Sequence, residues 1–349
     1  MESDDTTLSH LSHQILGVTR ERSFWQWKYR QNPAGTALSA VAVHHGTVIG
    51  QIGAIPIRFL VEGSELRAAQ EVDMLIDKGH RRFDVYYRLA ELRNAIDKKE
   101  GIAFKYGFAI EATSQIAQKT LGFQRVGPIP RLVKVLNSEP FLQRKLHLRA
   151  FSRLLAFPVN TVLRHFYPTK ITVPPGAQMR EVKRFDERFD TFWSRIKGDY
   201  PIMTVKDCRY LNWRYVDIPH LHYTIIALEN IRTEAVLGFV VLYERYRDLP
   251  VGQIIDIVTP REENATVTRT LLAQALNHFH QKGMALAACW MFSHSHVFPE
   301  LVALGFRARP GKGRELIFRN VNPQEPAVSP SFATRTEHWY ITMGDADFY

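Results

Sequence analysis

The chain has 349 residues, of which 45% are hydrophobic and 23% charged, and its formal net charge is +10. That length exceeds the usual span of one core and that composition is globular, which excludes a disordered chain and points to two domains of ordinary size. Two cysteines, Cys208 and Cys289, exclude a disulfide framework and fit neither a zinc knuckle nor a CxxC redox pair; they read as small core residues in a reducing compartment.

The first residues, MESDDTTLSH, are acidic and lack a charged-then-apolar leader pattern, and no stretch reaches the roughly 18 apolar residues that span a bilayer. The expectation is a soluble, cytoplasmic chain. A short aromatic helix over 22–30 should end before Pro33, which breaks helices and extends its neighbour. LSAVAVHHGTVIGQIGAIPIRFLV then alternates like paired strands with a tight turn at His45–Gly46. A second turn at Glu62–Gly63–Ser64 leads into the strand RAAQEVDMLID. Val85, Leu89 and Leu92 follow at helical spacing. GIAFKYGFAI reads as a buried strand and TSQIAQKTLGF as a helix capped by Thr113 or Ser114, and FQRVG and RLVKVLN close as two strands. After residue 220 the same order recurs: three strands, a helix over 264–282, the strand ALAACWM, a helix over 296–304, and FRARPGKGRELIFRN as a hairpin turning at Gly311–Lys312–Gly313.

The recurrence is visible residue by residue. FWQWKYRQNP at 24–33 aligns with YLNWRYVDIP at 210–219, placing Trp27 over Trp213, Tyr29 over Tyr215 and Pro33 over Pro219. Gly50 then falls near Gly238, Asp73 on Asp256, and the triplet LGF at 121–123 on LGF at 304–306. Ordered matches with small drift are the mark of internal duplication. We divide the chain into an N-terminal copy over 1–137, a basic connector over 138–180 and a C-terminal copy with its tail over 181–349. In each copy the repeated aromatic helix is read as an anchor onto the sheet.

The connector carries a local charge excess: seven basic residues against one acid between Lys134 and Lys170. Its arginines alternate with Leu142, Leu146, Phe151, Leu154, Leu155, Val162 and Leu163. Such a segment over 141–170 can lie on an anionic bilayer. The preferred reading is a connector whose apolar side packs between the copies.

The element order, the W(K/R)Y...P opening of each copy and the LGF after the last helix resemble the GNAT superfamily of acyl-CoA-dependent acyltransferases. The chain looks most similar to two-domain bacterial members associated with polysaccharide biosynthesis, whose Trp-x-x-Thr-x-x-Asp-x-Asp close resembles HWYITMGDADFY here. The fold implied is an α/β fold with a mixed sheet, a tandem duplication of the GNAT-like acyl-CoA N-acyltransferase fold. The resemblance implies acetyl-CoA or another acyl-CoA as co-substrate, its pantetheine arm lying along splayed strands near Met74, Leu75 and Ile76 and its pyrophosphate on backbone amides at the following helix. That loop is HRRFDVYYRL, with Arg81, Arg82, Asp84 and Val85 at the cofactor, although Asp84 stands where the family has glycine. The second copy has Arg261 but no glycine, so the first is the better candidate.

By the same resemblance the base is an acid on the preceding strand. Glu71 and Asp73 lie two apart and share one strand face, as that role requires. Tyr106 is the candidate acid, and Ser114 a further cofactor contact. Asp256, Asp345 and Asp347 are candidates for binding the acceptor, expected to be an amino group on a sugar or polysaccharide precursor. Two alternatives stand beside this: a peptidoglycan-type aminoacyltransferase using aminoacyl-tRNA, which needs no pyrophosphate loop, and an inactive binding protein retaining the fold. The histidine pairs lack a third ligand at metal spacing, so no metal is expected. Oligomeric state is not readable.

Overall fold

The computed structural model describes residues 12–15, 17, 19–146, 149–166, 171–246, 248–261, 265–309 and 313–347. The first half runs α1 (Arg22–Arg30), β1 (Leu38–His44), β2 (Thr47–Val61), β3 (Ser64–Ile76), α2 (Phe83–Lys99), β4 (Phe104–Ala109), α3 (Glu111–Leu121), β5 (Gln124–Ile129) and β6 (Arg131–Val135). The two tight turns fall where the sequence places them. His45 and Gly46, then Glu62 and Gly63, all have positive φ, the geometry that lets a two-residue turn follow the twist of its strands.

A helical pair follows, α4 (Glu139–Leu146) and α5 (Arg149–Phe166), and then β7 (Ala177–Glu181), α6 (Glu187–Ile196) and β8 (Ile202–Thr204). The second half repeats the first: α7 (Cys208–Tyr215), β9 (Thr224–Asn230), β10 (Val236–Arg245), β11 (Val251–Val258), α8 (Thr266–Gln281), β12 (Leu286–Trp290), α9 (Val297–Ala303), β13 (Arg307–Ala308) and β14 (Arg314–Asn320). The tail adds α10 (Pro330–Ala333) and β15 (Trp339–Tyr340).

Two mixed sheets result, and the last strand of each half lies in the sheet of the other. The first reads β15-β8-β2-β3-β4-β14-β5, with β1 also on β2; the second reads β13-β6-β12-β11-β10-β9-β7. The predicted hairpin over 306–320 therefore does not form. β13 pairs with β6 in the second sheet, whereas β14 pairs with β4 and β5 in the first. Part of its predicted turn, Gly311 and Lys312, lies outside the described residues. A strand's alternation fixes which face is buried but not which neighbour it pairs with, so the exchange leaves no local trace in sequence.

The two aromatic helices meet at the centre. Trp27 and Trp213 stack with ring centroids 5.1 Å apart and planes 18° apart. Each indole N–H donates to the other's backbone carbonyl, Trp27 Nε1 to Trp213 O at 2.6 Å and Trp213 Nε1 to Trp27 O at 3.0 Å. This reciprocal contact has the self-complementary form of a two-fold interface. Structural anchoring explains the tryptophans of the repeat; the basic residue between Trp and Tyr has a different task, given below.

The connector departs from expectation. α5 buries Ser152 and Ala156, and it turns Leu154 and Phe157 outward at 70% and 72% exposure. Its apolar side is not packed between the halves.

Candidate active site

β3 and β4 run parallel and pair over a short stretch, Ala68–Gln70 against Phe104–Tyr106. Beyond it they diverge, and a cavity of about 480 Å³ opens between Gln70–Leu75 on one side and Gly107–Ala109 on the other. A break in the β2–β3 ladder marks its edge: Gly53 faces Val72 and Gln51 faces Leu75, so Asp73 and Met74 together oppose Ile52. This is a β-bulge, and Asp73 adopts φ +48° to make it. Bulges re-aim side chains, and this one sends the Asp73 carboxylate towards α1.

There it meets the repeated motif. Asp73 accepts from Lys28 Nζ at 2.7 Å and from the Tyr29 hydroxyl at 2.9 Å, and Lys28 also reaches Asp347 of the tail at 3.0 Å. Burial first, and then the Asp73 charge, push the Tyr29 hydroxyl well above its ordinary pKa, so it stays a donor. A Cβ on Gly53 would overlap the Tyr29 hydroxyl, so the β2 backbone must be bare where this tyrosine crosses it. Trp25, Val72, Leu75, Phe108, Leu121 and Phe123 give the cavity apolar walls, and Asp73, Lys28 and Asp347 form a polar patch in its lining.

Glu71 also lines the cavity, but it is held by Lys105 at 2.9 Å, which bridges on to the buried Asp97 at 3.1 Å. Tyr86, on the cavity wall, is raised to about 12 by burial and by Glu71. Tyr106 does not reach the cavity as expected: it is 1% exposed and packs edge-on against Phe59 and Phe108, so Gly107, Phe108 and Ala109 are the residues of β4 that line it. Ser114 is likewise fully buried. It accepts from Gln118 and caps nothing, the helix beginning instead after Ile110; Thr113 is the residue that reaches the cavity.

Met74 and Leu75 line the cavity, and Ile76 has rejoined the ladder opposite Gly50. The loop beyond is a single 3-10 turn over Lys78–His80, held by Asp77, whose carboxylate accepts from Gly79 N. Arg81 bonds back to the Ile76 carbonyl at 3.0 Å. Arg82 stands at the N-cap of α2 with no side-chain cap, and Val85 is in the first turn. Asp84 is half-exposed and pairs with Arg82 at 3.1 Å; it is not among the residues lining the cavity. The helix start thus offers uncapped amides beside two arginines, the setting that favours an anion.

The second half builds the same parts and then fills them. Tyr215 donates to Asp256 at 2.7 Å, as Tyr29 does to Asp73. β11 and β12 pair over Val251–Gln253 and then part. The gap is closed by the chain's own tail: Thr342 bonds Asp256 at 3.0 Å, the Tyr340 hydroxyl donates to the Ile257 carbonyl, and the space left does not admit a water-sized molecule. Asp256 and Asp345 are both buried around Lys206. Burial acts against the charge on Lys206, but the two carboxylates outweigh it and hold its pKa above the ordinary value. These two aspartates are therefore closed into the interior, and Asp347 alone of the three acceptor candidates reaches the open cavity. Arg214, the counterpart of Lys28, donates to the Gly344 and Ala346 carbonyls at 2.9 and 2.8 Å. Lys28 and Arg214 thus both grip the tail. Their signal was present in the sequence, as the basic residue of W(K/R)Y, but its partners in the tail lie more than a hundred residues away.

Among the described residues no group of three or more His, Cys, Asp or Glu is placed to hold a metal ion. No family model matches the chain, and no curated protein matches it in sequence. Solved structures do. A conserved Enterococcus faecalis V583 protein of unknown function, described as a probable N-acyltransferase, superposes with TM-score 0.65 at 9% identity, covering 92% of this chain and 71% of that one. The Saccharomyces cerevisiae N-myristoyltransferase with bound myristoyl-CoA superposes with TM-score 0.62 at 12% identity, covering 91% and 76%. The fold is that of the GNAT-like N-acyltransferases. At these identities the likeness concerns the fold alone.

Proposed function

We propose that the chain is an acyl-CoA-dependent N-acyltransferase whose single donor site is the β3/β4 cleft of the first half. The observation that carries this reading is the divergence of β3 from β4 at the Asp73 bulge. It opens edge backbone and an apolar-walled cavity beside a carboxylate, while the equivalent gap in the second half is filled by the tail. An extended pantetheine arm fits such an opened edge as an added strand would. The uncapped start of α2, with Arg81 and Arg82, would take the pyrophosphate, and Asp84 leaves it room by turning to Arg82.

In this reading the acceptor amine enters beside Asp73 and Asp347. Acyl transfer needs the ammonium proton removed and the tetrahedral oxyanion stabilised. Asp73 accepts the ammonium proton, Lys28 and Tyr29 steady its carboxylate, and the freed amine attacks the thioester carbonyl. Collapse of the tetrahedral intermediate breaks the C–S bond, and CoA leaves as the thiol carrying the second proton of the nitrogen. An acetyl group or a longer acyl chain can be the cargo, since Trp25, Val72, Leu75, Phe108, Leu121 and Phe123 give the cavity apolar walls away from the polar patch. The amino group of a sugar or polysaccharide precursor is the acceptor we favour; what supports that choice is the resemblance of the tail sequence.

Calorimetric titration with acetyl-CoA, longer acyl-CoAs and free CoA tests the donor site. We expect saturable binding, weakened at least tenfold by Arg81→Glu, and a raised melting temperature on saturation, because a ligand of the folded form alone stabilises it. Absence of binding by every acyl-CoA would remove the proposal.

A further inference from the structure

α5 is amphipathic in the wrong sense for a soluble helix. Its inward stripe is small and polar: Ser152 and Ala156 are buried, and Asn160 bonds Ser138 Oγ at 2.9 Å and Asn137 at 2.9 Å. Its outward arc is apolar, with Phe151, Leu154, Leu155, Phe157, Val159 and Val162 all exposed. Six large apolar side chains on one helix form a contiguous patch rather than the scattered singles normal on a surface, and such patches mark interaction sites.

The neighbouring surface supplies charge. α4, which packs on α5, also contributes Phe141 and Arg144 to a cavity of about 400 Å³ on the second sheet, where Arg131, Arg245 and Arg309 converge with one acid, Asp248. Arg245 Nε is buried with no hydrogen-bond partner among the described residues. Burial lowers the Arg131 pKa, and so do the charges of Arg245 and Arg309, as expected where cations outnumber the acid beside them. No helix among the described residues is long and apolar enough to cross a membrane.

An apolar face beside a pocket lined by four arginines and one acid complements one kind of surface, with hydrocarbon below and phosphate above. We propose that the α4–α5 pair is a docking element that lies in the plane of an anionic phospholipid bilayer, with the outer face of α5 among the acyl chains and the arginine pocket on lipid phosphates. A protein partner would satisfy the apolar face but not the four arginines, unless it carried an acidic patch of its own. The inference is independent of the transferase reading, because none of its residues lines the β3/β4 cavity.

Vesicle flotation of the full chain tests it, with phosphatidylcholine vesicles in one arm and phosphatidylcholine mixed with phosphatidylglycerol in the other. We expect flotation with the mixed vesicles alone, weakening as salt is raised. The exposed-site variant Leu154→Asp/Phe157→Asp should lose at least tenfold in vesicle affinity. Arg144→Glu/Arg309→Glu should also lose at least tenfold, each basic residue at an anionic surface contributing about fivefold. Both variants should keep the wild-type melting temperature and acyl-CoA titration. Absence of flotation with the mixed vesicles, equal flotation with both kinds, or an apolar variant that floats as well as wild type overturns the proposal. So does light scattering that shows a dimer broken by Leu154→Asp/Phe157→Asp in a protein that ignores vesicles.

Discussion

Glu71 and Asp73 share one face of one strand, and their surroundings differ in kind. Glu71 belongs to a chain of paired charges, Lys105 to Asp97 to Arg93, that runs into the interior. Asp73 sits where the ladder breaks, with a tyrosine hydroxyl on it and an ammonium that it shares with Asp347. If acyl transfer uses a base in this cavity, it is Asp73. Asparagine tolerates the left-handed backbone at this position, so Asp73→Asn removes the charge without rebuilding the bulge. We expect Asp73→Asn to keep acyl-CoA affinity within about twofold and to lower turnover by about 10²–10⁴, the usual worth of a general base. Glu71→Gln should cost less than tenfold. CoA release in the presence of an amino-sugar acceptor reads both, and equal effects of the two substitutions would return the choice of base to the open.

At the scale of elements, the sequence was legible wherever one segment answers for itself. Periodicity and turn chemistry located β1, β2 and β3 and their tight turns, because the period of a strand and the positive φ of a turn are written in adjacent residues. The exchange of β6 and β14, the closing of the second cleft by residues 340–345 and the inverted face of α5 were not legible, because each depends on what lies opposite. α9 gives a further case. His296 at its N-terminus donates or accepts between the Tyr200 hydroxyl and Thr259 Oγ1, each at 2.8 Å. Burial first, helped by the Arg261 charge, lowers its pKa to about 4 from an ordinary 6.5. The unfolded chain therefore binds more protons than the native one between those values. The stabilisation is full above pH 6.5 and is lost as pH falls through 4. Urea midpoints measured from pH 7.5 to 4 should drop over that window in the wild type and drop less in His296→Gln. Parallel curves would mean that His296 does not carry the dependence.

At the scale of the molecule, the strand exchange and the shared tail make the two halves a single cooperative object. The first sheet is incomplete without β14, since β4 and β5 pair with it and not with each other; the second sheet is incomplete without β6 in the same way. The tail strengthens the coupling, being held by Lys28 from one half and Arg214 from the other. A fragment of residues 1–180 would lack β14, β8 and β15 and so expose several unpaired strand edges, an aggregation hazard. We expect residues 1–180 and residues 181–349 to be insoluble when produced separately and to recover soluble, acyl-CoA-binding protein when produced together. The intact chain should unfold in one calorimetric transition whose van't Hoff and calorimetric enthalpies agree, despite a length at which domains commonly melt apart. Two resolved transitions, or a folded fragment of residues 1–180, would show that each half completes its sheet alone and that the exchanged strands are dispensable.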